Sequence, residues 1–473
     1  MRNETIDALL ETRRGFVVSA AGCGKTEAIA KAIEYSGDAS RQLVLTHTHA
    51  GVKALRDRLL RFRVPEHRFR VDTIAGWCLR YAASFPQMSG LDETTPTAGD
   101  WSLVYPAAER LLRVDAIQQV IVNSYDGVFV DEYQDCTKPQ HAVILQLADL
   151  VPCRILGDPL QGIFGFHEPL VDWAVDVTGA FEALPPLQVP HRWRNNLPLG
   201  KQLTALREAL LAGTPIDLRT PPFKWRRLQT ESQELEIAAQ LAACESVYAN
   251  SGSVVAIRRW PNECYAIAGK LGGRYTCMEE MDCKDLLRFA KAIEQKQGLD
   301  RCGALFDFAD LCMAGLATPL RTIRQSLAAG RLPVPSRLRS NQDIAVAVAQ
   351  VAGTSDLGPV SQFLRLLEGV PNRRIFRREL WREMGRALSV YAAGRGASLW
   401  EAAWELRNRL RRQGRAVERR TVSRTLLIKG LEFDHTVILD ASEHNAKNFY
   451  VAATRPTQSL TICSANPKIR FGE

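Results

Sequence analysis

FVVSAAGCGKTEAIAKAIEY, residues 16–35, decides the fold. Phe16–Ala20 reads as a short apolar strand, and EAIAKAIEY as an Ala-rich helix. Between them SAAGCGKT (19–26) carries the end of the pattern G-x-x-x-x-G-K-[ST], with Ser19 in place of the first glycine. Gly22 and Gly24, flanking Cys23, let the backbone turn so that its N–H groups point inward at phosphates. Lys25 then stands between the β- and γ-phosphates, and the Thr26 hydroxyl is a Mg²⁺ ligand. The helix that follows starts its positive dipole end at the same place. A strand before the loop and a helix after it make this a site for a nucleotide with Mg²⁺.

A phosphate loop does not say what the energy does, because kinases, GTPases and motors all carry one. VFVDEYQD (128–135) narrows the choice. Its apolar strand runs into Asp131, which would hold Mg²⁺ through water, and Glu132, which can orient and deprotonate an attacking water. A kinase brings its own hydroxyl nucleophile and has no use for that glutamate. An acidic turn after a strand is commonly just solvated; after a phosphate loop the pair indicates ATP hydrolysis.

Around these motifs the chain alternates strands and helices, which predicts parallel α/β sheets. QLVLTHT (42–48), DGVFVDE (126–132) and CRILGD (153–158) read as further strands of a first core. SVVAIRR (253–259), HTVILDA (435–441) and LTICSA (460–465) suggest a second, smaller α/β unit. Between its pieces LLRFAKAIEQ, FLRLLEGV and LWEAAWELRNRLRR show apolar residues at three-to-four spacing, so the middle reads as helical. The expected division is 1–190 for a first core, 191–280 and 416–473 for a second, and 281–415 for a helical insertion in the second.

With 473 residues the chain can bury sizeable cores, and its net charge of +9 favours a polyanionic partner. No apolar run approaches the roughly 18 residues needed to span a bilayer. The stretch MRNETIDALLETRRG has no signal-peptide core. The eleven cysteines form no CxxC pair, and Cys264, Cys277 and Cys283 fit no zinc spacing, which suggests free thiols in the cytoplasm.

These two motifs, with those that follow, resemble the UvrD/Rep-like branch of superfamily 1 helicases, over about 1–200, 250–290 and 420–465. The resemblance implies two RecA-like cores closing on ATP, with single-stranded or partly unwound DNA across both. THTHAGVKALRDRL (46–59) is similar to the family's first DNA-contacting motif, where Thr46 and Thr48 would touch strand phosphates and His49 replaces the usual Asn. TIAGW (73–77) resembles the next, with Thr73 on the backbone and Ala75 where a His is common. GDPLQGIFGF (157–166) resembles the motif in which Gln161 senses the γ-phosphate. Phe164 and Phe166, two residues apart, could face one side of an extended segment, and aromatic stacking on bases contributes about 1–3 kcal/mol per base regardless of sequence. HRWRNN (191–196) resembles the motif that would stack Trp193 on adenine and send Arg194 to the γ-phosphate. In IKGLEFDHTVIL (428–439) Gly430 would allow close approach and Glu432 would bond the ribose. In YVAATRPTQSLTI (450–462) Arg455 would be the arginine finger.

The chain departs from the family pattern in several places. Glu4 stands where many members have a glutamine that reads adenine, and Arg424, Thr425 and Leu426 replace the Thr-x-His before the lysine. Trp77 and Asp126 are close in sequence, so the first core's usual DNA-facing insertion is short or absent. The chain ends soon after Arg455, and the expectation is that no nuclease or tail domain follows. These features describe a reduced member, in which ATP-driven single-strand engagement is expected more than processive unwinding. Compact members, including the helicase subunit of the Gabija anti-phage system, work beside a partner nuclease, and this chain is similar in size and in DEYQD. An ATP-gated DNA-sensing subunit that activates such a nuclease is therefore the alternative. PNRRIFRRELWREMGR (371–386) and RNRLRRQGRAVERR (407–420) read as a solvated helix face, a phosphate-tracking surface or a dock for an acidic protein.

Overall fold

The computed structural model describes residues 3–91, 101–165, 168–249, 252–280, 282–413 and 417–471. The chain divides into two compact units. The first comprises residues 1–223, 444–459 and 468–473, and the second 224–443 and 460–467. The first unit thus runs past residue 190 and takes in the segment that carries Arg455.

The first unit is built on a six-stranded sheet: β1 (Arg14–Val18), β2 (Gln42–Thr46), β3 (Phe69–Thr73), β4 (Gly127–Val130), β5 (Cys153–Gly157) and β6 (Glu182–Ala183), in the order β3-β2-β4-β5-β1-β6. Every pairing is parallel. Alternate side chains of one strand enter different cores. Leu43, Leu45, Val128, Val130 and Ile155 pack into one cluster, and Val44, Phe129 and Leu156 into another. A sheet covered on both faces buries every position of its central strands, so these read as continuous apolar runs.

The second unit has a six-stranded sheet of its own: β7 (Lys224–Arg227), β8 (Val254–Ile257), β9 (Thr276–Cys277), β10 (Arg420–Ser423), β11 (Phe433–Ile438) and β12 (Pro456–Ser464), in the order β9-β10-β8-β11-β12-β7. The pairs β9–β10, β10–β8, β8–β11 and β12–β7 run parallel. Two parallel six-strand sheets are consistent with two RecA-like domains. Between β9 and β10 the chain forms seven described α-helices, from Lys284–Gln295 to Leu399–Gln413. Lys284–Gln295 shows why they fold: Leu286, Phe289, Ala290 and Ile293 recur at helical spacing and enter a core built within this block.

Within the arginine-rich stretches Arg377 and Arg407 are turned inward, while Arg374, Arg382, Arg386, Arg409 and Arg419 are exposed. Arg377, 1 % exposed, donates to both Glu279 oxygens (2.8 and 2.5 Å), to Asp285 Oδ2 (2.8 Å) and to the Tyr265 hydroxyl (3.2 Å). Arg407 reaches Glu379 Oε1 (3.1 Å), Glu383 Oε2 (2.6 Å) and the Glu280 carbonyl. Arg382 pairs with Glu418 at 2.7 Å. The two buried arginines cross-link elements of the second unit, and the exposed ones leave basic charge at the surface.

Candidate nucleotide and nucleic-acid site

β1 delivers the chain into the phosphate loop, and the helix Lys25–Tyr35 leaves it. Gly22 and Gly24 have φ of 75° and 82°, a left-handed backbone that favours glycine. Gly22 is also hemmed in: a Cβ there would lie 2.9 Å from Arg192 Cβ and 3.1 Å from Trp193 Cζ3. Lys25 is buried and its ammonium donates to the Ser19 (2.9 Å) and Ala20 (3.3 Å) carbonyls. The cation is thus bonded to the loop's own backbone. Cys23 is buried beside it, and burial pushes its thiol up.

β4 ends at Asp131. Its Oδ2 accepts from the Thr26 hydroxyl at 2.8 Å, so the two residues read as Mg²⁺ ligands lie side by side. Burial and the neighbouring Glu132 push the Asp131 carboxyl up to about 6, against Thr26 and Lys25. Paired hard oxygens with a charge to neutralise suit Mg²⁺. Glu132 holds φ 57°, which a non-glycine residue adopts only at a local cost of about 1–3 kcal/mol. Gln134 Nε2 donates to its carboxylate, and Gln134 Oε1 accepts from Asp158 N at 2.9 Å.

Asp158, fully buried after β5, extends this network. Gln161 Nε2 donates to its Oδ2 at 2.9 Å, and Gln161 Oε1 accepts from Arg455 Nη2 at 3.4 Å. Arg455 is 1 % exposed and also bonds Val451 O (2.8 Å) and Thr454 Oγ1 (3.0 Å). Trp193 is buried against the loop with its indole N–H on Pro456 O at 2.7 Å. Arg194, by contrast, is exposed. Three groups carry no role in the sequence reading: Asp158; Arg207, which donates to Asp158 Oδ1 at 3.1 Å; and Tyr450, whose hydroxyl accepts from Ala21 N at 3.2 Å. Asp158 lies inside GDPLQ and Tyr450 begins YVAATR, so both had a motif to signal them; Arg207 had none.

Two of the residues expected on DNA occupy helix starts. Thr48 caps the helix His49–Arg61 and Thr73 the helix Ile74–Ser84, accepting from Gly51 N and Gly76 N. Thr48 is exposed and Thr73 is buried. Thr46 is buried at the end of β2, and Phe164 is half-buried. Phe166 lies outside the described residues. In the second unit Gly430 has φ 80° with nothing within 4 Å of a Cβ built there, and Glu432 is exposed.

A parallel sheet with a phosphate loop after one strand and an acidic pair after another defines a P-loop nucleotide-binding core. A family model described as the UvrD/REP helicase N-terminal domain matches residues 97–176, a segment that includes Asp131, Glu132 and Gln161. This match supports a UvrD-like helicase superfamily and, with it, a DNA helicase as the class of activity. No curated protein matches the chain. Among the described residues no helix is long and apolar enough to cross a membrane.

Proposed function

We propose that this chain is an ATP-dependent single-stranded DNA translocase and helicase of the UvrD-like type. Supporting this most directly is one juxtaposition: Thr26 and Asp131 bonded at 2.8 Å beside a strained Glu132. Thr26 and Asp131 would hold Mg²⁺, which neutralises phosphate charge when bound. Lys25 exchanges its two backbone carbonyls for the β- and γ-phosphates. Glu132 takes the proton of the attacking water, and Gln134 fixes its carboxylate. Gln161 contacts the γ-phosphate, Arg455 and Arg194 stabilise its developing charge, and Trp193 stacks on the base. Gly430 and Glu432 in the second unit take the ribose. Thr46, Thr48, Thr73 and the aromatics Phe164 and Phe166 grip the strand, so that ATP turnover moves one RecA-like core relative to the other along it. The helices between β9 and β10 read as an insertion in the second core. A cytoplasmic location suits eleven buried free thiols.

The test is the ATPase rate of the isolated chain with and without single-stranded oligonucleotide. At least tenfold stimulation is expected, and hydrolysis equally slow in both conditions overturns the reading. Strand displacement then separates a motor from the alternative, a DNA-sensing subunit that gates a partner nuclease in anti-phage defence: stimulated ATPase without unwinding favours the latter.

A further inference from the structure

Arg207, on the helix Leu197–Leu211, matches none of the motifs read from the sequence. Its Nη2 donates to the fully buried Asp158 Oδ1 at 3.1 Å, and the Tyr450 hydroxyl lies close to its guanidinium. Its Nε is buried and has no hydrogen-bond partner. A buried, unpaired guanidinium donor is costly unless an acceptor arrives. Tyr450, in turn, brings its hydroxyl to the phosphate loop, where it accepts from Ala21 N at 3.2 Å. Phosphate loops bind through such backbone N–H groups. One hydroxyl therefore stands between the Arg207 cation and a loop amide. The cation lies close enough to the loop for its field to act on the Cys23 thiol. Arg207 also shares Asp158 with Gln161, the residue read as the γ-phosphate sensor.

We propose that Arg207 contacts the terminal phosphate of a bound nucleoside triphosphate, and that the Tyr450 hydroxyl competes with that phosphate for the Ala21 N–H. The inference rests on the ATP-binding reading above and adds a phosphate-contacting arginine that the motifs do not include. A triphosphate oxygen takes the Ala21 N–H, the Tyr450 hydroxyl withdraws, and the spare donor of Arg207 gains an acceptor. A diphosphate lacks the group that completes this exchange. The site thereby distinguishes ATP from ADP before hydrolysis.

Calorimetric titration of the full chain with AMP-PNP and with ADP tests this. In Arg207→Gln the preference for AMP-PNP over ADP falls at least about tenfold, in keeping with loss of a charged hydrogen bond, while ADP affinity stays within about twofold. Arg207→Lys keeps the charge and recovers part of the preference. Tyr450→Phe keeps the ring and removes the competing hydroxyl, so AMP-PNP affinity rises about two- to fivefold with ADP unchanged. An unaltered preference in a folded Arg207→Gln protein overturns the proposal. Should that variant not fold, Tyr450→Phe decides alone: a fall or no change in AMP-PNP affinity overturns it. Failure of the wild-type chain to bind either nucleotide instead overturns the reading of the loop, and this inference with it.

Discussion

Arg377 in the second unit and Arg207 in the first both grip buried carboxylates, yet their guanidinium groups are finished differently. All three nitrogens of Arg377 donate, to Glu279, Asp285 and Tyr265. Arg301, equally buried, is engaged at every nitrogen by the carbonyls of Lys296, Thr354, Ser355 and Asp356. Arg207 keeps one buried nitrogen without a partner, and its neighbour Tyr450 occupies a loop amide that a phosphate could take. A completed set of hydrogen bonds holds helices in register. Spare capacity beside a phosphate loop leaves room for a ligand, because the desolvation already incurred is recovered only when an acceptor arrives.

The contrast can be broken at several points. The largest effect is expected at Arg455: replacing it with alanine should lower kcat about 10³-fold, as for an arginine finger, with ATP affinity within about threefold. Equal losses in both, measured by steady-state kinetics and nucleotide titration, would make Arg455 a structural arginine like Arg377. Arg377→Ala tests the other pole. It leaves Glu279, 1 % exposed, as an uncompensated buried charge, and breaking such a pair is expected to cost about 3–5 kcal/mol in a denaturant titration. Nucleotide affinity at the phosphate loop should hold as long as the protein is folded.

Glu383 sharpens the comparison from within the second unit. Arg407 meets its Oε2 at 2.6 Å while its buried Oε1 has no partner. Burial, reinforced by Glu379, raises its carboxyl from an ordinary 4.5 to about 7 against the pull of Arg407. The folded protein therefore binds this proton more tightly than the unfolded chain does. Its contribution to stability is complete below pH 4.5 and is lost as pH rises through about 7. The smallest effect follows: Glu383→Gln should remove up to about 1.4 kcal/mol per pH unit from the slope of stability across that window. Parallel slopes in wild type and variant would show that the carboxyl ionises as it does in the unfolded chain.

How much was legible follows from burial on one side or two. The strands Gln42–Thr46, Gly127–Val130 and Cys153–Gly157 are interior to their sheet and read directly as apolar runs. The strands missed in the sequence include both edges of each six-stranded sheet: Phe69–Thr73, Glu182–Ala183, Lys224–Arg227 and Thr276–Cys277. An edge strand pairs on one side only and carries polar residues such as Arg70 and Asp72, or runs to just two residues, so it gives no apolar signal. Arg420–Ser423, interior but short, was hidden in an arginine-rich run.

By itself the sequence determined the phosphate loop, the acidic pair and the parallel α/β class. Those features are made by contiguous residues: a loop that binds through its own backbone and strands whose burial is written in consecutive side chains. Only the tertiary structure decided which arginines are internal cross-links and which face the loop. Arg207 finds Asp158, and Tyr450 finds Ala21, across long stretches of chain. Pairing at that separation depends on how helices pack, and a helical position that faces a buried carboxylate looks in sequence like any other arginine on a helix.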